Sequence, residues 1–472
     1  MPTPCTRATM EFLDPRLLLA ATPAWAAGIG GNSIDAIADI ATDRSGNVYL
    51  AGMFRAEMDA DPSKGGATIL RAAANAQPYG FVAKYTVAGA LLWARPLNLK
   101  GLGDVAVGEL QAIAVDRAGA VYLSGHFDGT VDFDPSKAGT STLTTAADDA
   151  FVTKWDAGGN FVWATRLPST RGVPVGANAP ALAFGGGADL FVGGEMISQG
   201  DELDGAPFLA RLDRATGAVG FVHDMIPDLP SINKIGNALA TDRAGNVVVA
   251  GAQGSSSGGA SFAAKYDRTG ALLWASEFAG GSSPGSTGVA VDNRGSVFLA
   301  GSFGGQGQRT TFDFDPGPGQ VNLTPVGGAD AYVMRLTAGG GLVWVRQLGG
   351  PAVTLTGDVR RDALGNVVVG GTFGGAVDFD PRRGQFVLDA GDTPDLFVAT
   401  LTPTGNFVSA FAIGGRRAVV TPASAQLWID RSGHLLVGAT FTRDVDADPG
   451  AGELLLSSNG RSADVLFGRY VP

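Results

Sequence analysis

"DRAGAVYLSG", residues 116–125, passes from an aspartate through a glycine into an apolar run, and the chain repeats it. Variants stand as "DRSGNVYLAG" from Asp43, "DRAGNVVVAG" from Asp242, "DNRGSVFLAG" from Asp292, "DALGNVVVGG" from Asp362 and "DRSGHLLVGA" from Asp430. "GGGADLFVGG" from Gly185 is degenerate but in phase. The last positions fall at Gly52, Gly125, Gly194, Gly251, Gly301, Gly371 and Ala439, so seven copies fill the chain. A period of this length decides the architecture before any local assignment.

A second element follows each copy: "GFVAKYTVAGALLWARPL" from Gly80, "AFVTKWDAGGNFVWATRL" from Ala150, "SFAAKYDRTGALLWASEF" from Ser261 and "AYVMRLTAGGGLVWVRQLGG" from Ala331, with weaker versions at Phe208 and Phe397. Each has two short β-rich runs around a Gly turn, with the period-two alternation of strands. A small-residue strand precedes each marker Asp, as in "QAIAVD", "NALATD" and "TGVAVD". Each unit therefore holds four strands, and four-stranded units repeated radially make an all-β, seven-bladed β-propeller. Approximate blades are 32–100, 101–167, 168–227, 228–278, 279–350, 351–415 and 416–472 completed by 24–31.

The two ends test that ring. The seventh unit stops at "DVLFGRYVP" after its third strand, while "AWAAGIGG" near the start matches "VWVRQLGG", with Trp25 to Ile29 spaced like Trp344 to Leu348. An N-terminal strand completing the last blade leaves no open edge between first and last blades. Residues 24–472 are then one propeller, and residues 1–23 an export segment that is disordered or removed. "RLLLAATPAWA" has an Arg, a short apolar core and small residues in the manner of a signal peptide, although Glu11 and Asp14 precede it.

Among 472 residues, 71 glycines and only 17% charged residues describe a turn-rich, packed chain. The formal charge of -11 and the lack of any cluster of Lys and Arg in the sequence argue against nucleic acid as a partner. Cys5 is the only cysteine, so no intrachain disulfide or Cys-rich metal site can form. No apolar run reaches the length of a membrane-spanning helix.

Five units also carry Asp-x-Asp-Pro: "EMDADPSK" from Glu57, "GTVDFDPSK" from Gly129, "TFDFDPGPG" from Thr311, "AVDFDPRRG" from Ala376 and "DVDADPGAG" from Asp444. Steps between marker positions are 73, 69, 57, 50, 70 and 68 residues, and the two short steps belong to units three and four, which lack the motif. It thus travels with an insertion of roughly twenty residues beyond a bare blade. A second β run follows each time ("ATIL", "STLT", "VNLT", "FVLD", "LLLS"), so a β-ribbon extends the second-to-third strand connection.

These residues resemble the bacterial seven-bladed β-propeller repeat (SBBP) proteins, whose units read much like "DRAGAVYLSGHFDGTVDFDP" followed by "DAFVTKWDAGGNFVWA". The resemblance covers nearly the whole chain after residue 24 and implies a secreted or cell-surface bacterial protein, without implying any activity. "EFLDPRLLLA" also looks like the LEPR-XLL segment that begins many exported bacterial proteins, with Asp14 in place of the usual Glu.

Two readings compete for the aspartate pairs Asp59/Asp61, Asp132/Asp134, Asp313/Asp315, Asp378/Asp380 and Asp446/Asp448. On a strand both carboxylates of a pair share one face, where they repel unless a cation, a base or backbone donors intervene. Calcium is the functional reading, since it takes several carboxylate and carbonyl oxygens. The alternative is turn chemistry, with Asp accepting local N–H bonds and Pro ending the ladder. Trp25, Trp93, Trp163, Trp274 and Trp344 hold one place in the fourth strand and read as inter-blade packing. "YDRTGALLWA" is similar to a packing motif of quinoprotein dehydrogenases, but the sequence offers no cofactor constellation. Arg360, Arg361 and Trp428 lie where first strands meet the channel and are its candidate residues.

Second-to-third and fourth-to-first connections emerge on the same face of a blade, so the ribbons and "LGG" loops crowd one side, lower at units three and four. The expected function is a non-catalytic scaffold or binding module, a monomer, engaging envelope protein or polysaccharide through that face. The alternative is a secreted hydrolase or lyase with its site at the channel mouth.

Overall fold

The computed structural model describes residues 21–471 apart from 64, 73–78, 100–108, 135, 137–138, 147–148, 168–174, 199–205, 226–233, 256–257, 282–285, 306–309, 383, 416–418, 422–424 and 460–461. The expected export segment, 1–23, lies almost wholly outside the described residues. Seven antiparallel sheets occupy 36–97, 109–167, 175–224, 234–281, 286–348, 354–413 and 419–471, and we number these blades one to seven. In the first six, four strands pair in chain order from inside outwards. The seventh has its inner strand split into Val419–Val420 and Gln426–Ile429, and takes its outer strand, Thr22–Ile29, from the other end of the chain. That strand pairs with Ala463–Val471 from Thr22 opposite Val471 to Ile29 opposite Val465. Inner strands touch their neighbours all the way round, from Ala36–Thr42 through each blade to Gln426–Ile429 and back. The chain is an all-β, seven-bladed propeller closed by its own N-terminal strand.

The marker aspartate makes the turn between first and second strands. Asp43 Oδ1 accepts the N–H groups of Ser45 and Asn47, Gly46 takes a φ of 80°, and the same bonds recur at Asp116, Asp242 and Asp292. The apolar run that follows is the second strand, buried almost throughout, as in Val48–Phe54 and Val121–Phe127. Those side chains fill the space between adjacent blades, which supplies most of the stabilisation in such a ring.

Four of the five outer-strand tryptophans lock their blade to the next by a hydrogen bond, while Trp163 does so by packing on Gly217 alone. The indole N–H of Trp25, Trp93, Trp274 and Trp344 donates to Val87, Ala157, Ala338 and Pro403 O in the following blade's third-to-fourth turn, at 2.9–3.2 Å. The ring lies on that turn's glycine. A Cβ on Gly159 would stand 2.9 Å from Trp93, and one on Gly405 3.0 Å from Trp344, with φ of 77° and 76°. Glycine is required there twice over, for the left-handed backbone and for the close approach. The sixth blade carries Ser409 at the tryptophan's place, opposite Thr400. The following blade is the one whose third and fourth strands come from opposite ends of the chain, so no hairpin turn is present to receive an indole.

Candidate binding face and central channel

Ribbons stand on the second-to-third connections of blades one, two, five, six and seven, each a short antiparallel pair such as Glu57–Asp59 with Ile69–Arg71. They share a face with the loops between blades and are joined to them. Gly30, after the seventh blade's outer strand, pairs with Asp59 of the first blade's ribbon, Gly349 with Asp378, and Gly414 with Asp446. Asp446 N donates to Gly414 O at 2.8 Å and Asp59 N to Gly30 O at 3.0 Å. The ribbons of blades one, six and seven therefore clasp the neighbouring blade as well as their own.

The Asp-x-Asp-Pro motif builds these ribbons by alternation. The residue between the aspartates points inward and is fully buried: Ala60, Phe133, Phe314, Phe379 and Ala447. Phe133 packs on Phe127 and Phe151, and Phe379 on Phe373 and Phe397, at 4.8–5.4 Å between centroids. Where the residue is alanine, a third-strand tyrosine fills the space and donates to its carbonyl, Tyr85 to Ala60 and Tyr470 to Ala447. The aspartates point outward into their own turn. The first accepts two backbone N–H groups: Asp59 from Asp61 and Thr68, Asp132 from Asp134 and Ser141, Asp313 from Asp315 and Val321, Asp378 from Asp380 and Phe386, Asp446 from Asp448 and Leu454. The second accepts one, from Ser63, Ser136, Gly317, Arg382 and Gly450 to Asp61, Asp134, Asp315, Asp380 and Asp448. For Asp313, these backbone bonds hold the carboxyl below the usual range. Among the described residues, no group of three or more His, Cys, Asp or Glu gathers as a metal site.

Aliphatic side chains stand exposed on the same face. Ile69, Val321, Val387 and Leu455 lie on or beside the second strands of ribbons, and Ile34, Val326 and Val353 on adjoining loops, at 36–57% exposure. They form an arc over blades five, six, seven and one.

Buried carboxyls brace the base of this face. Asp330, Asp395 and Asp464 begin or nearly begin third strands and lie under Gly349, Gly414 and Gly30, where a glycine Cβ would come within 1.9–2.4 Å of the carboxyl. Burial pushes Asp395 up to about 7 and Asp464 up to about 6. Asp35, fully buried at the closing seam, rises to about 7 through burial, opposed by the Gly31 N–H bond and reinforced by the charge of Asp464.

The central channel encloses about 210 Å³. Asp39, Gln111, Asp358, Arg360 and Gln426 supply its polar lining. The first strands bulge between Ile37 and Asp39, Leu110 and Ala112, and Thr356 and Asp358. At two of these bulges a carboxylate stitches one inner strand to the next: Asp39 Oδ2 accepts Ile113 N at 3.0 Å, and Asp358 Oδ2 accepts Leu427 N at 3.2 Å. Burial raises Asp39 to about 6 and raises Asp358 too, while Arg360 opposes both shifts.

Arg360 pairs with Asp358 at 2.8 Å, donates to Leu427 O at 2.9 Å and lies over the Trp428 ring at 5.4 Å. Arg360 and Trp428 thus come together at the end of the channel away from the ribbons. Arg361, the third residue named from sequence, points the other way, because neighbours on a strand face opposite sides. Its guanidinium lies over Phe298 of the fifth blade at 5.1 Å and donates to Gly365 O. Asp39 and Asp358 were missed from sequence. Both stand four residues before a marker Asp, where the other units carry Ala, Gly or Gln, so aligning the first strands alone would have found them.

Fold and site together define a seven-bladed β-propeller with one ornamented face and a narrow, braced channel. No family model matches the chain. Regulatory protein FlaEY of Caulobacter vibrioides is 36% identical over 115 residues, which is 24% of this chain and 11% of that protein. Among solved structures, the polysaccharide lyase Uly1 aligns over 95% of this chain and 99% of its own at 8% identity, with a TM-score of 0.49. The quinohemoprotein alcohol dehydrogenase from Comamonas testosteroni aligns over 97% and 78% at 12% identity, with a TM-score of 0.48. The assignment of a propeller rests on the strand pairing described above and not on these similarities.

Proposed function

We propose that this chain is a non-catalytic binding module of the bacterial cell surface that engages an envelope protein through its ribbon-bearing face. The observation that carries the reading is the arc of exposed aliphatic side chains on the ribbons and adjoining loops, Ile34, Ile69, Val321, Val387 and Leu455 among them, with the ribbons of blades one, six and seven bridged to the preceding blade. A preorganised surface loses little conformational freedom on binding, and exposed aliphatic side chains gathered on one face fit an interaction site. Aliphatic rather than aromatic display favours protein over polysaccharide, whose rings stack on aromatic platforms. Export draws its support from the repeat resemblance and from the N-terminal segment. Catalysis in the channel has less support, because about 210 Å³ falls below the usual range for a ligand pocket and Arg360 is already paired with Asp358.

The test is co-sedimentation of the purified chain with envelopes of its own organism, in calcium and in chelator, beside a Val387→Asp/Leu455→Asp variant. Wild type should pellet in both conditions and the variant should stay soluble. Pelleting of both proteins alike would remove the ribbon face from the account. Protease treatment of the envelopes separates a protein partner from a polysaccharide, and turnover of a glycan would favour the enzyme reading.

A further inference from the structure

We propose that the cleft between the second and third blades, on the face opposite the ribbons, binds a small organic oxyanion. The cleft holds about 790 Å³ and is lined by Asp116, Arg117, Tyr122, Lys154, Phe184, Arg214 and the turn from Gly185 to Ala188. It arises where the repeat is broken. Six units begin the first-to-second turn with aspartate, and the third unit has Gly185 there. In blades one, four, five and seven the third-strand cation pairs with its own marker aspartate: Lys84 with Asp43, Lys265 with Asp242, Arg335 with Asp292 and Arg469 with Asp430. In the third blade Gly185 holds the marker position and the third-strand cation, Arg211, reaches Asp189 instead, at 3.9 Å, while space stands open where side chains on Gly186 and Gly187 would be.

Cations therefore dominate this cleft. Lys154 Nζ donates to Arg214 O at 2.9 Å and lies over the Tyr122 ring at 5.2 Å. Arg214 lies over Phe184 at 5.2 Å and donates to Gly187 O, while its buried Nε has no hydrogen-bond partner. The nearby carboxylates are committed elsewhere. Asp116 accepts the N–H groups of Ala118 and Ala120 and the Tyr122 hydroxyl, and Asp213 accepts from Ala215 and Thr216. Three cations against two turn-bound carboxylates leave the cleft positive on a chain of net charge -11. Three cationic side chains beside a single aromatic wall, formed by Phe184 and Tyr122 packed edge to face at 5.4 Å, fit an oxyanion carried on a small organic body.

Carboxylate and phosphate share this chemistry, so the full chain is titrated calorimetrically with glucuronate, with glucose 6-phosphate and with glucose. At least one anion should bind, glucose should not, and added salt should weaken the binding. Arg214→Gln should weaken it about tenfold, the loss of one charge-assisted hydrogen bond. Gly186→Asp places a carboxylate in open space without backbone strain, so it should fold normally and abolish binding. Saturable binding of glucose as tight as that of the anions, failure of both anions to bind, or undiminished anion binding by Gly186→Asp would each overturn the assignment.

Discussion

Replacing Asp35 by Asn should make the closing seam insensitive to pH. Asp35 is fully buried, its Oδ2 accepts Gly31 N at 2.6 Å, and its own N–H donates to Ala463 O at 2.8 Å, so it ties the first blade to the strand that completes the seventh. Its Oδ1 and that of Asp464 lack hydrogen-bond partners. The carboxyl rises from 3.8 to about 7 in the fold, through burial and then through the Asp464 charge. Between those values the folded chain holds a proton that the unfolded chain has released. Stability from this group is therefore present below about pH 4 and is lost as pH rises to about 7. Three pKa units correspond to roughly 4 kcal/mol. Asparagine keeps the acceptor for Gly31 and carries no charge. In urea unfolding followed by tryptophan fluorescence, variant and wild type should match near pH 4, and the variant should be more stable by up to roughly 4 kcal/mol at pH 8. Asp395 and Asp39 titrate in both proteins and cancel, whereas Asp464 is coupled to Asp35 through their charges, so the difference reports the Asp35/Asp464 pair. A difference that does not grow with pH, or a variant less stable at pH 8, would refute the assignment.

Further perturbations probe other parts of the ring. Gly159→Ala should destabilise by roughly 2–4 kcal/mol in thermal or urea unfolding, since it combines a left-handed backbone with overlap against Trp93. Asp378→Ala should cost about 1–3 kcal/mol by leaving the Asp380 and Phe386 N–H groups without their acceptor, and chelator should not move the melting temperature of the parent. Arg360→Met should cost about 3–5 kcal/mol by stranding buried Asp358, and Arg360→Met/Asp358→Leu should recover most of that loss.

The ring was legible because its information is repeated. Seven markers, the four-strand units and the split of the last blade between the two ends all follow from spacing, and the missing ribbons in units three and four show as shorter steps. The aspartate pairs left calcium and turn chemistry open, because period two places both carboxylates on one face in either case. The ribbon geometry supplies three backbone donors per pair, which spacing could not reveal. Arg361 was grouped with Arg360 although adjacent strand residues face opposite sides, and only one of them could reach the channel. Asp39 and Asp358 escaped notice because only two of the seven units carry aspartate at that place, in a strand otherwise read as filler. Their role depends on a bulge that brings the next blade's N–H within reach. The oxyanion cleft was invisible for the opposite reason. It comes from a residue the repeat lacks, Gly185 in place of aspartate, which reads as degeneracy until the neighbouring cations are seen to be unpaired with it.

The most direct test of the binding-face account is hydrogen exchange of the purified chain, free and bound to envelopes of its own organism. Protection confined to the ribbons, at 57–71, 312–323, 376–389 and 444–457, is the predicted result. Protection at the turns on the opposite face, with the ribbons exchanging as in the free protein, would contradict it.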